Sequence, residues 1–183
     1  GEAASAIISG WGNNRNKQIK AFDIKLKKNE TREEIISRGT ELNIAVNLSS
    51  EEVIKDADLI FSTVSADQAP SVAREVSCCI EKECYFFDLN SCAPSSKQKA
   101  SQIIESVGGY YVDVAVMAPV HPQKHMVPLL ISGNKTFQAS FILEGLPMNS
   151  RVIDGPVGRA SSIKMVRSIM VKGLEALTAE CTL

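Results

Sequence analysis

No apolar run in this sequence approaches the roughly 20 residues needed to cross a bilayer, so no stretch of it reads as a transmembrane helix. Net charge is nearly absent as well. Twenty Lys and Arg against 21 Asp and Glu leave −1, and nothing global draws the chain to nucleic acid or to an anionic membrane. Histidine is scarce, with only His121 and His125, and the five cysteines (Cys78, Cys79, Cys84, Cys92 and Cys181) contain no C-x-x-C pair. An odd count without any C-x-x-C pair fits neither a disulfide framework nor a zinc site. It reads as small core residues in a reducing cytoplasm, and no metal is expected. The first residues lack the pattern of a signal peptide, because Glu2 stands where a basic region belongs. Repeats and low-complexity stretches are missing too. What remains is ordinary: 183 residues, 44% hydrophobic and 22% charged, enough for one domain with a buried core or one domain plus the start of another.

Strand-like and helix-like segments alternate along the chain, the pattern of a parallel sheet covered by helices. Ala3, Ala4, Ile7, Ile8 and Trp11 recur at helical spacing, and a Gly12-Asn13-Asn14 turn follows. Strands are expected over Ile19–Asp23, Asn43–Val46, Asp58–Val64, Cys84–Leu89, Tyr110–Val116, Val127–Ser132 and Arg151–Ile153. Helices are expected over Thr31–Arg38, Ala69–Ile80, Ser95–Val107 and Lys135–Leu143, with Thr31 as N-cap of the first and Glu34 completing a capping box. From Ser161 to Leu183 the spacing of Ile163, Val166, Met170, Leu174 and Leu177 predicts one long helix without a stop signal, so a continuation is expected. The fold class is therefore α/β, a Rossmann-type, doubly wound, mostly parallel sheet. Residues 1–158 form its nucleotide-binding domain, and 159–183 begin a long interdomain helix. A nucleotide-binding helix normally follows the central strand of such a sheet. No residue precedes Gly1, so that first strand is expected to be missing, leaving a gap in the strand order 3-2-1-4-5-6.

Gly1-Glu2-Ala3-Ala4 fits the tail of a G-x-G-x-x-G/A fingerprint, with Gly1 as its second glycine and Ala4 as the small residue that lets helix and strand pack closely. The helix N-terminus would then offer free N–H groups and a partial positive charge to a pyrophosphate. Alone, an arbitrary glycine before an alanine-rich helix explains these four residues as well. Asp23 shifts the balance. It lies 22 residues after Gly1 at the end of a strand, where the acidic residue that binds ribose hydroxyls belongs. An aspartate there repels the extra phosphate of NADP, so NAD is the expected cofactor. Lys25, Lys27 and Lys28 offset part of that repulsion, or form a solvated loop, and NADP stays open as the second choice.

Gly155-Pro-Val-Gly158-Arg-Ala160-Ser-Ser-Ile-Lys164 resembles the G-x-x-G-x-[GA]-x-x-x-K-x-x-x-N signature of β-hydroxyacid dehydrogenases. Asp113-Val-Ala-Val-Met117-Ala118-Pro119 aligns with the D-x-P-V-S-G-G substrate loop of the same enzymes. Asp58 to Ser65 resembles the strand and loop beside the cofactor, which brings Thr63, Val64 and Ser65 to it. Asp88-Leu-Asn90-Ser91, with Pro94 after it, resembles the segment near the nicotinamide. Across essentially its whole length the chain is similar to the β-hydroxyacid dehydrogenase and 6-phosphogluconate dehydrogenase superfamily. Within it, the phosphogluconate dehydrogenase-like NAD-binding proteins share the K-x-x-R-S-x-x-x-K-G-L-E-A-L helix read here from Lys164 to Leu177.

The resemblance implies an NAD-dependent oxidoreductase acting on a small 3-hydroxy acid, with Lys164 as general acid/base. It also implies a cytoplasmic homodimer whose second, all-helical domain lies outside these residues. Cofactor contacts fall to Gly1, Glu2, Ala3, Ala4, Asp23, Thr63, Val64, Ser65 and Asn90. Substrate contacts fall to Asn90, Ser91, Met117, Ala118, Arg167 and Ser168. Departures are concentrated in the substrate loop. Met117 replaces the serine, and Ala118 and Pro119 replace two glycines; proline has no N–H to donate to a carboxylate. Ser168 replaces the asparagine that shares a helix face with the lysine. Arg167 reads either as an anchor for a carboxylate or phosphate or as a solvated arginine. His121, Lys124 and His125 stand where the glycine-rich turn would be, as substrate contacts or as a solvated loop. Asn90 and Ser91 read equally as ligands or as helix caps. A non-catalytic dinucleotide-binding module is the alternative function, since the loop has lost its donors. An imine reductase shares the fold but usually lacks the lysine.

Overall fold

A computed structural model gives the arrangement of residues 1–12 and 18–182. Among these, α1 spans Glu2–Trp11, β1 Lys20–Ala21, α2 Asn29–Glu41, β2 Ala45–Val46, α3 Ser50–Ile54 and β3 Leu59–Ser62. Next come α4 Ala69–Ser77, β4 Tyr85–Asp88, α5 Pro94–Ser106, β5 Tyr110–Val116, β6 Leu129–Ser132, α6 Thr136–Gly145, β7 Ser150–Val152 and α7 Arg159–Thr182. Single 3-10 turns at Ile24–Lys27 and Lys124–Met126 interrupt the alternation. Asn13 and Asn14 of the expected turn, and Leu183, lie outside the described residues.

The sheet comes in two pieces. β1 and β2 pair in parallel, and β3-β4-β5-β6-β7 form a five-stranded sheet that is parallel except where β5 meets β6. The start of α1 sits against both pieces. The Gly1 nitrogen is 3.4 Å from Asp23 Oδ2, just past β1, and a Cβ at Gly1 would stand 3.9 Å from the Thr63 carbonyl oxygen, just past β3. The helix start thus lies at the carboxyl ends of the strands, where open α/β sheets bind ligands.

Strict alternation along β4 and β5 divides the core. Phe87 and Val112 face α1 and α6 with Ile7, Leu129, Ile131, Ala139 and Leu143, while Phe86 and Tyr111 face α4 and α5 with Ala73, Val76, Ala100 and Ile104. Both faces of these central strands are covered, so they read as apolar runs rather than as alternating polar and apolar residues. Each fully buried side chain of this size contributes roughly 1.5–3 kcal/mol.

Two expectations fail, each for a local reason. Thr31 does not cap α2. The helix begins earlier, at Asn29, and the Thr31 hydroxyl donates to the Lys25 carbonyl at 2.7 Å; Glu34 pairs with Arg38 one turn later instead of reaching back. The acceptor left by the preceding 3-10 turn outcompeted the capping box. The first two strands are also shorter than their apolar patterns: Asp23 caps that same turn by accepting the Lys25 N–H at 3.0 Å and so ends β1, and Asn43, at φ +50°, delays the start of β2. No helix among the described residues is long and apolar enough to cross a membrane.

Candidate functional site

The site grows from the carboxyl ends of β3, β4 and β5. Asp88 and Asp113 end up side by side, register partners on neighbouring parallel strands and almost wholly shielded from solvent. Two adjacent buried carboxylates need a cation and hydrogen-bond donors. Lys97, from the first turn of α5 and fully buried, supplies the cation. Its Nζ is 2.9 Å from Asp88 Oδ1 and 3.5 Å from Asp113 Oδ1, and it donates to the Asp88 carbonyl at 2.6 Å. The Tyr111 hydroxyl donates to Asp88 Oδ2 at 2.5 Å; burial first, then the Asp88 charge, pushes its pKa far up and keeps the proton on it. Sequence reading singled out neither Lys97 nor Tyr111 as part of a site.

Asp113 uses its remaining capacity on α7. Its Oδ2 accepts the Gly158 N–H at 3.0 Å, the Ser161 N–H at 3.1 Å and the Ser132 hydroxyl at 3.0 Å, and its Oδ1 accepts the Ser161 hydroxyl at 2.6 Å. The Ser132 hydroxyl in turn accepts the Ala160 N–H at 3.0 Å. N–H groups at the helix start, which have no partner within the helix, are thereby satisfied by an anion, with the favourable sign for a helix N-terminus. This explains the glycine frame of the signature. Gly158 has φ +97°, and a Cβ there would stand 3.2 Å from Pro94 Cβ, so α5 and the start of α7 approach only over a glycine. Ala160 is fully buried at the same junction, leaving no room for a larger side chain.

One turn into α7 comes Lys164. Its Nζ donates to the Ser91 hydroxyl at 2.6 Å, joining the helix to the loop after β4. Burial, and after it the positive charge of Lys97, hold the Lys164 ammonium below the usual lysine pKa; Cys92 opposes this. Burial raises the neighbouring Cys92 thiol against the pull of Lys97, so that side chain stays protonated near neutrality.

Asn90 links the loops that follow β3 and β4. Its Oδ1 accepts the Val64 N–H at 2.6 Å, its Nδ2 donates to the Ser62 hydroxyl at 2.9 Å, and its own N–H goes to Asp88 Oδ1 at 2.9 Å. Its side chain holds the loop after β3 through one acceptor and one donor. Asn90 and Ser91 do not cap α5, whose N-cap is Ala93. Asn90→Ala is therefore expected to cost about 1–3 kcal/mol, read as a lower urea midpoint.

The remaining residues are less closely joined. Arg167, exposed, donates to the Met117 carbonyl, so α7 and the loop after β5 are in contact. Met117 and Ala118 are half-buried beside Pro119, and Ser168 is half-buried one turn beyond Lys164. His121 and Lys124 are exposed. His125 packs on α1, where Gly10 makes space: a Cβ there would stand 2.1 Å from His125 Nδ1. That histidine is taken up by packing. At the other end, α1 carries no side-chain cap and its first internal bond is Ser5 N–H to the Gly1 carbonyl, so no intrahelical partner takes the N–H groups of Glu2, Ala3 and Ala4. Among the described residues no cluster of metal-ligating side chains occurs.

No family model matches the chain. Among curated proteins it is 27% identical, over 139 residues, to an uncharacterized 28.5 kDa protein of Methanothermus fervidus, covering 76% of this chain and 52% of that one. A conserved hypothetical protein from Sinorhizobium meliloti 1021 superposes with a TM-score of 0.89 at 32% identity, over 99% of this chain and 60% of the other. A conserved protein of unknown function, noted for its structural similarity to 3-hydroxyacid dehydrogenases, gives 0.81 at 26% identity, over 99% and 65%. The 3-hydroxyisobutyrate dehydrogenase of Mycobacterium tuberculosis gives 0.84 at 15% identity, over 99% and 60%. Imine reductases of Myxococcus stipitatus, solved with NAD+ and with NADP+, share the fold at 19% and 18% identity. The chain spans about 60% of the length of these relatives. It has the Rossmann-like fold of a 3-hydroxyacid dehydrogenase or 6-phosphogluconate dehydrogenase-like NAD(P)-binding domain, ending in a long helix.

Proposed function

We propose that the protein is an NAD-dependent oxidoreductase that moves a hydride between a small 3-hydroxy acid and a nicotinamide cofactor, with Lys164 as general acid/base. The observation that carries this reading is the Lys164–Ser91 hydrogen bond at the carboxyl end of β4, made by a lysine whose pKa is depressed. An ordinary lysine titrates near about 10.4 and is a poor base at neutral pH; burial and a nearby cation bring the neutral amine within reach. As the neutral amine, Lys164 takes the proton of the substrate hydroxyl. As the ammonium it is held by Ser91, and it returns the proton in the reverse direction.

The residues present fit a dinucleotide. N–H groups at the start of α1 lack a cap and face the anion side of a helix dipole, and Asp23, at the end of β1, offers a carboxylate to ribose hydroxyls. Thr63, Val64 and Ser65, held by Asn90, border the same opening. Bound there, the nicotinamide supplies hydride transfer. Because Asp23 would sit against a 2′-phosphate, NAD is preferred. In Asp23→Ser the Kd for NAD is expected to rise by roughly tenfold while that for NADP falls, both read by quenching of protein fluorescence.

Arg167 is the candidate anchor for the substrate carboxylate, exchanging the Met117 carbonyl for the anion. Ser91, which accepts from Lys164, and Ser168, one turn beyond that lysine, are the hydroxyl groups assigned to assist. The rest of the natural protein would cover the face of α7 on which Ile169, Met170, Leu174 and Leu177 are more than half exposed, and would complete a cytoplasmic homodimer. One observation favours a second reading, a dinucleotide-binding module without turnover: Pro119 has no N–H, and the Met117 carbonyl is already taken by Arg167. Titrating the full-length protein with NAD and a panel of 3-hydroxy acids separates the two. Cofactor binding with no reduction for any acid would sink the dehydrogenase reading.

A further inference from the structure

Lys97 and Lys99 lie two residues apart on α5, yet Lys99 is exposed and Lys97, on the face of Ala100, Ser101 and Ile104, is completely buried. A buried ammonium persists only where it is paired and hydrogen-bonded. The two carboxylates that pair with it each hold one side of the Lys164 site. Asp88 fixes the turn toward Ser91 by accepting the Asn90 N–H at 2.9 Å. Asp113 fixes the first turn of α7 through Gly158 and Ser161, one turn before Lys164. Both partners of the 2.6 Å Lys164–Ser91 bond therefore depend on carboxylates that one cation joins. We propose that Lys97 is a positioning residue for Lys164, tying β4 to β5 so that the Ser91 loop and the lysine helix meet in a single geometry.

This inference rests on reading Lys164 as the acid/base. It adds that the geometry and the proton affinity of that lysine are set from behind by a residue with no access to substrate. The titratable groups acting on Lys164 are Lys97, from α5, and Cys92, from the loop after β4, with burial the larger influence. Asp88 and Asp113, from β4 and β5, stand behind Lys97 and neutralise it. Arg167, on the same helix, is turned to the Met117 carbonyl. Removing the cation and removing one carboxylate therefore push Lys164 in opposite directions, whereas a merely structural element would loosen the site in the same direction either way.

The experiment follows the pH dependence of Lys164 labelling by acetic anhydride, quantified by peptide mass spectrometry against exposed Lys172 in the same chain. Wild type, Lys97→Met and Asp88→Asn are compared, with folding checked by thermal melting. In the wild type Lys164 is expected to become reactive at lower pH than Lys172. In Lys97→Met its midpoint climbs toward that of Lys172, and its relative rate at about pH 8 falls roughly fivefold. In Asp88→Asn the midpoint drops further and the relative rate rises. Shifts in the same direction in both variants, or an unchanged profile in either folded variant, overturn the proposal. If Lys97→Met does not fold, Asp88→Asn decides alone: a lowered midpoint supports the proposal, and an unchanged or raised one refutes it. Labelling follows the protons of Lys164 itself, so this result stands apart from whether any hydroxy acid is oxidised.

Discussion

Replacing Lys164 by alanine is expected to lower kcat for hydroxy-acid oxidation by roughly 10²–10⁴-fold in the full-length protein, with the Kd for NAD changed by less than about twofold. The amine lies on α7 and the nucleotide cradle on α1, β1 and the loop after β3, so the two quantities separate. The pH profile follows from the same residue. Oxidation needs the neutral amine, so the rate climbs with pH, with an inflection below the ordinary lysine value of about 10.4; alanine removes that limb. Stability rises with pH as well. The folded pKa of Lys164 lies below the unfolded one, so the fold disfavours the ammonium. That cost is absent above the unfolded value, sets in as pH falls between the two, and is fully present below the folded value. Lys164→Met should therefore melt higher than wild type at neutral pH, and the gap should narrow toward pH of about 10. A methionine variant that melts lower at neutral pH would show that the Ser91 bond outweighs burial of the charge.

The largest loss of stability is expected from Asp113→Ala. One carboxylate accepts the Gly158 and Ser161 N–H groups and the Ser132 and Ser161 hydroxyls, and it lies 3.5 Å from Lys97. All of this lies in the interior, so alanine strands several buried donors at once and leaves the buried Lys97 to Asp88 alone. Breaking a buried pair from one side costs about 3–5 kcal/mol, a large part of the roughly 5–15 kcal/mol that holds a domain together. The denaturant midpoint should fall steeply with little change in slope. Asp154→Ala, on an exposed residue of the loop before α7, serves as the control and should stay within about 0.5 kcal/mol of wild type. Equal losses at the two positions would show that Asp113 does not anchor the helix.

Much of this arrangement was legible in the sequence because its signals are local. β4 and β5 announce themselves as apolar runs, and α7 as a long amphipathic stripe. The spacing of Gly155, Gly158, Ala160 and Lys164 encodes a junction that now has a steric reason, the close approach of Pro94 to Gly158. The failures are those where a partner elsewhere decided the outcome. Thr31 looks like a cap, but the turn at Ile24–Lys27 offers its hydroxyl a better acceptor. Asn90 could be read as ligand or cap; it does not cap α5, and the loop carrying Val64, remote in sequence, engages its side chain. Lys97 shares the inner face of α5 with Ala100, Ser101 and Ile104, but spacing alone does not say what a lysine does there. Asp88 and Asp113 supply the reason, because they become neighbours once β4 and β5 pair in register. Two aspartates side by side on adjacent buried strands demand a cation between them, and only the pairing shows which lysine supplies it.

Hydride transfer itself can be followed directly. The full-length protein would be incubated with NAD and 3-hydroxy acids deuterated at the carbon that bears the hydroxyl, and the reduced cofactor examined by mass spectrometry. The account predicts that the deuterium of at least one acid appears on the nicotinamide ring, and that Lys164→Ala suppresses its appearance while still binding NAD. NAD that binds but gains no deuterium from any acid would contradict the account and leave a nucleotide-binding module in its place.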